Sequence, residues 1–156
     1  MQNRMKKHQL TSDQIVSLFN RAHIGTLATL NSDGFPYAIA MHFVYLNEKI
    51  YLHGLPKGQK IDNIIRNPKV CFEINEMLGL IASDTDPCDT NTEYNSIVAL
   101  GYAKIVDDLS LKREVLNKII NKFTPNFSGY DLPENMVKGT AVIEIEIKEC
   151  TGKYYK

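Results

Sequence analysis

The sequence predicts a mainly β fold: a small six-stranded antiparallel barrel with flanking helices. Three observations lead there. Segments rich in Thr, Ile, Val and Tyr recur along the whole chain. Two junctions between them, "NSDG" and "NEK", are hairpin turn signals. Only a few intervening stretches carry the 3.6-residue apolar period of a helix. At 156 residues, 44% hydrophobic and 23% charged, the chain reads as one domain over 1–156, with residues 1–10 as an N-terminal arm.

The first helix is expected over 11–22. Thr11 stands three residues before Gln14, the spacing of a capping box, and Ile15, Leu18, Phe19 and Ala22 fall on one face. Strands follow over 23–31, 35–47 and 49–54 as an antiparallel meander, with Pro36 tolerable at a strand start. A short helix is expected over 59–66, with Ile61, Ile64 and Ile65 inward. It stops at "NP", because the residue before proline is pushed out of helical geometry. A strand over 69–75 leads into a long loop, 76–94, dense in Asp, Thr, Pro and Gly. The next strand, 95–108, holds Gly101 in its middle, which marks a bulge or a close backbone approach. Asp107 or Asp108 then caps an amphipathic helix whose face carries Leu111, Val115, Leu116, Ile119, Ile120 and Phe123. The last strand is expected over 139–149.

Charge excludes some classes of partner. Eighteen basic and eighteen acidic side chains cancel, so no net field recruits nucleic acid or an anionic membrane surface. No apolar run reaches membrane-spanning length, and "MQNRMKKHQL" has no apolar segment of a secretory signal behind its charges. Three widely spaced cysteines, with no CxxC pair, suit a reducing cytoplasm.

One stretch concentrates chemistry. "YLHGLPKGQKI" (51–61) runs from a strand end through Gly54 and Gly58 into a helix start flanked by Lys57 and Lys60. A helix N-terminus already carries partial positive charge and unsatisfied N–H groups, so two lysines there fit an anion, a phosphate monoester in particular. The competing reading is a surface loop with solvated lysines. His42 and His53 lie in strands that pair in a hairpin and so can face each other, as proton donors or metal ligands, although no HExxH or HxH pattern supports zinc. Cys88 has no nearby cation to activate it. Glu144 and Glu146 share one strand face that reads as solvated.

"IGTLATLNSDGFPYAIAMHFVY", "KIYLHGLPKGQKIDNIIRNPKVCFEI", "CDTNTEYNSIVALGYAKIVDD" and "GTAVIEIEIKECTGK" resemble, in this order, the pyridoxamine 5'-phosphate oxidase-related flavoproteins, and within them the nitroimidazole-resistance-like branch. The resemblance implies an FMN-binding split barrel, a homodimer with the flavin between subunits, FAD being the other flavin compatible with it. It implies that Ala40, Met41, His42 and Phe43 line the cofactor, that His53 and Gly54 end beside it, and that Gly58, Gln59 and Lys60 hold its phosphate. Ser96 is implied to approach from the partner chain, and His53 to be the catalytic residue. Gln59 stands where the oxidase has arginine, Ile39 replaces another, and "TGKYYK" lacks the oxidase's substrate-gripping segment, so the vitamin B6 reaction is not expected. The expected activity is flavin-dependent reduction of a small molecule. The resemblance leaves open a flavin-binding module that only stores electrons, and a haem-binding barrel.

Overall fold

The computed structural model describes residues 6–156. Helix α1 (Ser12–Arg21) opens with the expected capping box: the Thr11 hydroxyl accepts from Gln14 N–H, and the Gln14 side chain accepts from Thr11 N–H. Strands β1 (Ile24–Leu30), β2 (Pro36–Leu46) and β3 (Lys49–Gly54) form the meander. Helix α2 (Gln59–Arg66) follows, then β4 (Lys69–Ile81), β5 (Asn91–Ile105), helix α3 (Leu109–Phe123), a short helix α4 (Glu134–Gly139) and β6 (Ala141–Tyr155). The strands close into an antiparallel barrel in the order β1-β2-β3-β6-β5-β4. The seam between β1 and β4 is short, joining Thr26–Ala28 to Cys71–Glu73.

The core fills the barrel. Leu27, Phe43, Ile50, Leu52, Phe72, Ile74, Ile97, Ile143 and Ile145 are fully buried inside it. Leu18 and Phe19 of α1 join the same cluster, as do Ile61 and Ile64 of α2. A second cluster lies outside the barrel, where Val115 and Ile119 of α3 cover Val44, Tyr51 and Val142.

Several expectations are corrected. The β4–β5 hairpin is longer than the loop-rich composition suggests: pairing continues to Ile81↔Asn91, through a register shift between Met77 and Gly79. Strand pairing here outweighs the turn-forming residues, and the loop shrinks to 82–90. The last strand runs on to Tyr155 because β5 pairs with it to Tyr94↔Tyr155. Ile65 is exposed. Asn63 is buried in its place, and its amide donates to Thr29 Oγ1 and Asn31 Oδ1 at the β1–β2 corner. Glu144 is not on a solvated face: α3 covers that side of the sheet, and the buried carboxylate accepts from Lys49 Nζ and Tyr51 OH and pairs with Lys104. Burial first, and then this hydrogen bond, push the Tyr51 phenol well above its ordinary range. Of the N-terminal arm, residues 1–5 lie outside the described residues. Residues 8–10 are bonded to β6, with Leu10 N–H donating to Gly152 O and Tyr154 N–H to His8 O. Among the described residues, no helix is long and apolar enough to cross a membrane.

Candidate functional site

The turn from β3 into α2 builds the first half of the site. Gly58 caps α2 at φ +114°, with no side-chain hydrogen bond to the helix start. Ile61 N–H donates to Gly58 O, and the N–H groups of Gln59 and Lys60 keep the unsatisfied character of a helix N-terminus. Lys60 reaches back from this turn over the end of β3. A Cβ built on Gly54 would stand 3.3 Å from both Cε and Nζ of Lys60, and 4.0 Å from Met41 Cε. Glycine at 54 is what lets the ammonium settle against the strand. Among the described residues, Lys60 has no carboxylate within salt-bridge distance, so its charge is left for something else.

Gln59, expected beside Lys60, turns its side chain the other way. Its amide donates to Asn31 Oδ1, and Arg66 donates to Leu30 O and Asn63 Oδ1. These bonds pin α2 to the β1–β2 corner and so fix the direction in which the helix start points. Gln59 can offer a ligand its backbone N–H. Lys57 is exposed.

The second half lies on the outer side of the same two strands. Phe43↔Leu52 is the last recorded pair of the β2–β3 hairpin toward this end, so His42 and His53 occupy the next rung and point outward. His53 is partly buried, and its Nδ1 is enclosed without a hydrogen-bond partner among the described residues. Burial, and secondly the charge of His42, lower its pKa from the ordinary histidine value. The imidazole is thus neutral at neutral pH, with one nitrogen able to give a proton and the other to take one. His42 is stacked on Phe123 at 4.3 Å between ring centroids, while His23 lies 5.7 Å from the same ring.

Alternation along β2 divides its expected cofactor residues between two faces. Met41 and Phe43 point inward, Ala40 and His42 outward. Phe43 is fully buried against Phe19 and Phe72, so its ring is core and leaves no surface for a ligand. Ser96 lies on β5, between Asn75 and Lys153 in register. It is buried, and its Oγ has no hydrogen-bond partner among the described residues. Three strand spacings separate β5 from β2 across this face, about 14 Å. One chain therefore does not bring Ser96 to His42 or His53.

Lys122 was not singled out by the sequence. Its ammonium donates to Phe19 O and Phe43 O, both at 3.2 Å, and sits 4.1 Å above the Phe43 ring. Burial pulls its pKa down to about 8. It ties the end of α3 to the end of α1 and to β2, which holds Phe123 over His42. The only sequence signal was a lysine beside the last apolar residue of the α3 stripe.

A family model described as pyridoxamine 5'-phosphate oxidase matches residues 11–154. Among solved structures, the chain is 25% identical to a candidate 5-nitroimidazole antibiotic resistance protein from Bacteroides thetaiotaomicron, with a TM-score of 0.81 over 93% of this chain and 85% of that one. The flavocytochrome Anf3 from Azotobacter vinelandii is 18% identical, with a TM-score of 0.85 over 100% of this chain and 72% of that one. The FAD and heme binding protein from Mycobacterium smegmatis is 15% identical, with a TM-score of 0.86 over 96% and 74%. The last two likenesses are of fold. No curated protein matches the sequence.

Proposed function

The chain belongs to the pyridoxamine 5'-phosphate oxidase family, and from that membership we propose that it is an FMN-binding homodimer that reduces a small molecule. The observation that carries this reading is the Lys60 ammonium, unpaired among the described carboxylates and laid over Gly54 at an uncapped helix start. That arrangement fits the phosphate of a flavin nucleotide: a cation for charge-assisted hydrogen bonds, and backbone N–H groups with a favourable dipole. FMN and FAD share the riboflavin phosphate, so both meet this cradle.

The outer face beside it fits a flat ring and a second subunit. Two rungs cross the sheet in register: Ala38, Ala28, Cys71, Leu100, and Ala40, Thr26, Glu73, Val98. Their side chains are mostly small or apolar, and Val98 and Leu100 are exposed. Ser96 stands on the next rung of the same face. A second copy against this face would bring the β5 rung that holds Ser96 toward a flavin held by the first chain's Lys60. The nitroimidazole-resistance protein named above makes a nitroaromatic the substrate class to test first.

When bound, the isoalloxazine supplies the electron chemistry. The protein's own residues do the rest. Lys60 anchors, Gly54 admits the anchor, and α3 closes the space beside His42 through Phe123. His53, kept neutral by its burial, can turn a ring N–H toward a substrate oxygen and stabilise the charge that builds there by a hydrogen bond. Anaerobic reduction of a nitroaromatic by a nicotinamide donor, compared between wild type and His53→Gln, tests this. The expected result is unchanged flavin content with turnover lowered about 10²-fold or more. Turnover equal in the two proteins would remove His53 from the reaction. Flavin without any turnover would favour an electron-storing module, and a Soret band in place of flavin absorbance would favour haem.

A further inference from the structure

We infer that the cavity between the β3–α2 turn, the β5–α3 junction and the end of α4 is a binding site for a small aliphatic carboxylate. None of the residues assigned above to the flavin lines it. Its volume is about 320 Å³, enough for a small molecule.

The site rests on Lys112. This side chain belongs to the first turn of α3, where the helix dipole opposes a cation. It is nevertheless buried, only 7% exposed, and it lines the cavity. Among the described residues, no carboxylate lies within salt-bridge distance of it. Its ammonium donates to Lys138 O at 3.3 Å, a carbonyl at the end of α4. An ammonium has three N–H groups, so two are left without a partner among the described residues. Holding a charge out of water without a counter-ion is unfavourable, and an anion in the cavity would relieve it. The Lys138 ammonium is already paired, with Glu134.

The rest of the lining sets the ligand class. Ile61, Val106 and Ala141 are buried, and Ile105, Leu109 and Pro56 extend the same aliphatic surface. Among the described residues, no aromatic ring lines the cavity, so nothing there stacks a flat ring. Asp107 also lines it but is exposed. Water screens that charge, yet it weighs against a second negative charge on the ligand. A short branched tail with one carboxylate uses the walls and the buried ammonium together. An inorganic anion or a neutral alcohol uses only one of them.

The test is a ¹H–¹⁵N titration of the full chain with 4-methylpentanoate, repeated with phosphate and with 4-methylpentan-1-ol, each with and without saturating FMN. The expected result is saturable 4-methylpentanoate shifts at the amides of Val106, Leu109, Lys112, Thr140 and Ala141, with both controls at least about tenfold weaker. Lys112→Met keeps the apolar stem and removes the charge. It should weaken 4-methylpentanoate by about 10- to 100-fold, and Lys138→Gln by less than about twofold. If Lys112 serves only to tie α3 to α4, the probes shift none of these amides and the inference falls. Equal affinity for all three probes, full affinity in Lys112→Met, or displacement of 4-methylpentanoate by FMN would also overturn it. The wild-type titration decides without either variant. A chain that takes up no FMN but shows these shifts still has this site.

Discussion

Lys60 and Lys57 stand three positions apart around the start of α2, yet only Lys60 is laid over Gly54. A lysine that serves a phosphate loses a charge-assisted hydrogen bond on truncation, about 1.5–3 kcal/mol. Lys60→Ala is therefore expected to weaken FMN binding by roughly 10- to 100-fold, and Lys57→Ala by less than about threefold. A fluorescence titration of FMN into each variant measures both. At this scale the sequence was informative where chemistry is tied to a local pattern: two glycines, a helix start and a lysine sit within a few residues of one another. It was silent where chemistry is made by distant parts. Nothing local announced that Gln59 would bond to Asn31, that Phe123 would cover His42, or that Lys122 would reach Phe19 and Phe43.

The elements show what periodicity carries and what it does not. The bounds of β3 and α2 were legible to the residue, because each is bracketed by turn and cap signals: "NEK" before β3, Gly58 before α2 and "NP" after it. The β4–β5 hairpin was not. Its outer half lies beyond the short β1–β4 seam, where neither face has a core to impose alternation, and Met77, Leu78 and Leu80 remain exposed. Gly101 was read as a bulge or a close approach, and it is both. The register shifts between Leu100 and Gly101, and a Cβ there would stand 2.3 Å from Glu146 O. Backbone cannot yield as a flexible side chain can. Gly101→Ala is expected to destabilise the fold by about 2–3 kcal/mol, read as a lowered midpoint in urea with an unchanged slope.

For the whole molecule, barrel closure followed from the order of hairpins and was legible in outline. The use of the outer face was not, because small side chains such as Ala28, Ala38 and Ala40 read as filler until register lines them up across strands. If that face meets a second copy, a charge placed at its centre must be desolvated or the contact given up. Leu100→Lys is expected to convert a dimer into a monomer by light scattering and to lower flavin affinity at least about tenfold. A variant that stays dimeric with full affinity would move the interface elsewhere.

Every role assigned to Lys60, Gly54 and His53 depends on a flavin nucleotide occupying the ground between them. The deciding measurement is the mass of whatever small molecule leaves the purified protein on denaturation, with the same measurement on Lys60→Ala. The expected result is FMN from the wild type and little or none from the variant. A colourless wild-type protein that releases no flavin, and takes none up when FMN is added, would contradict it.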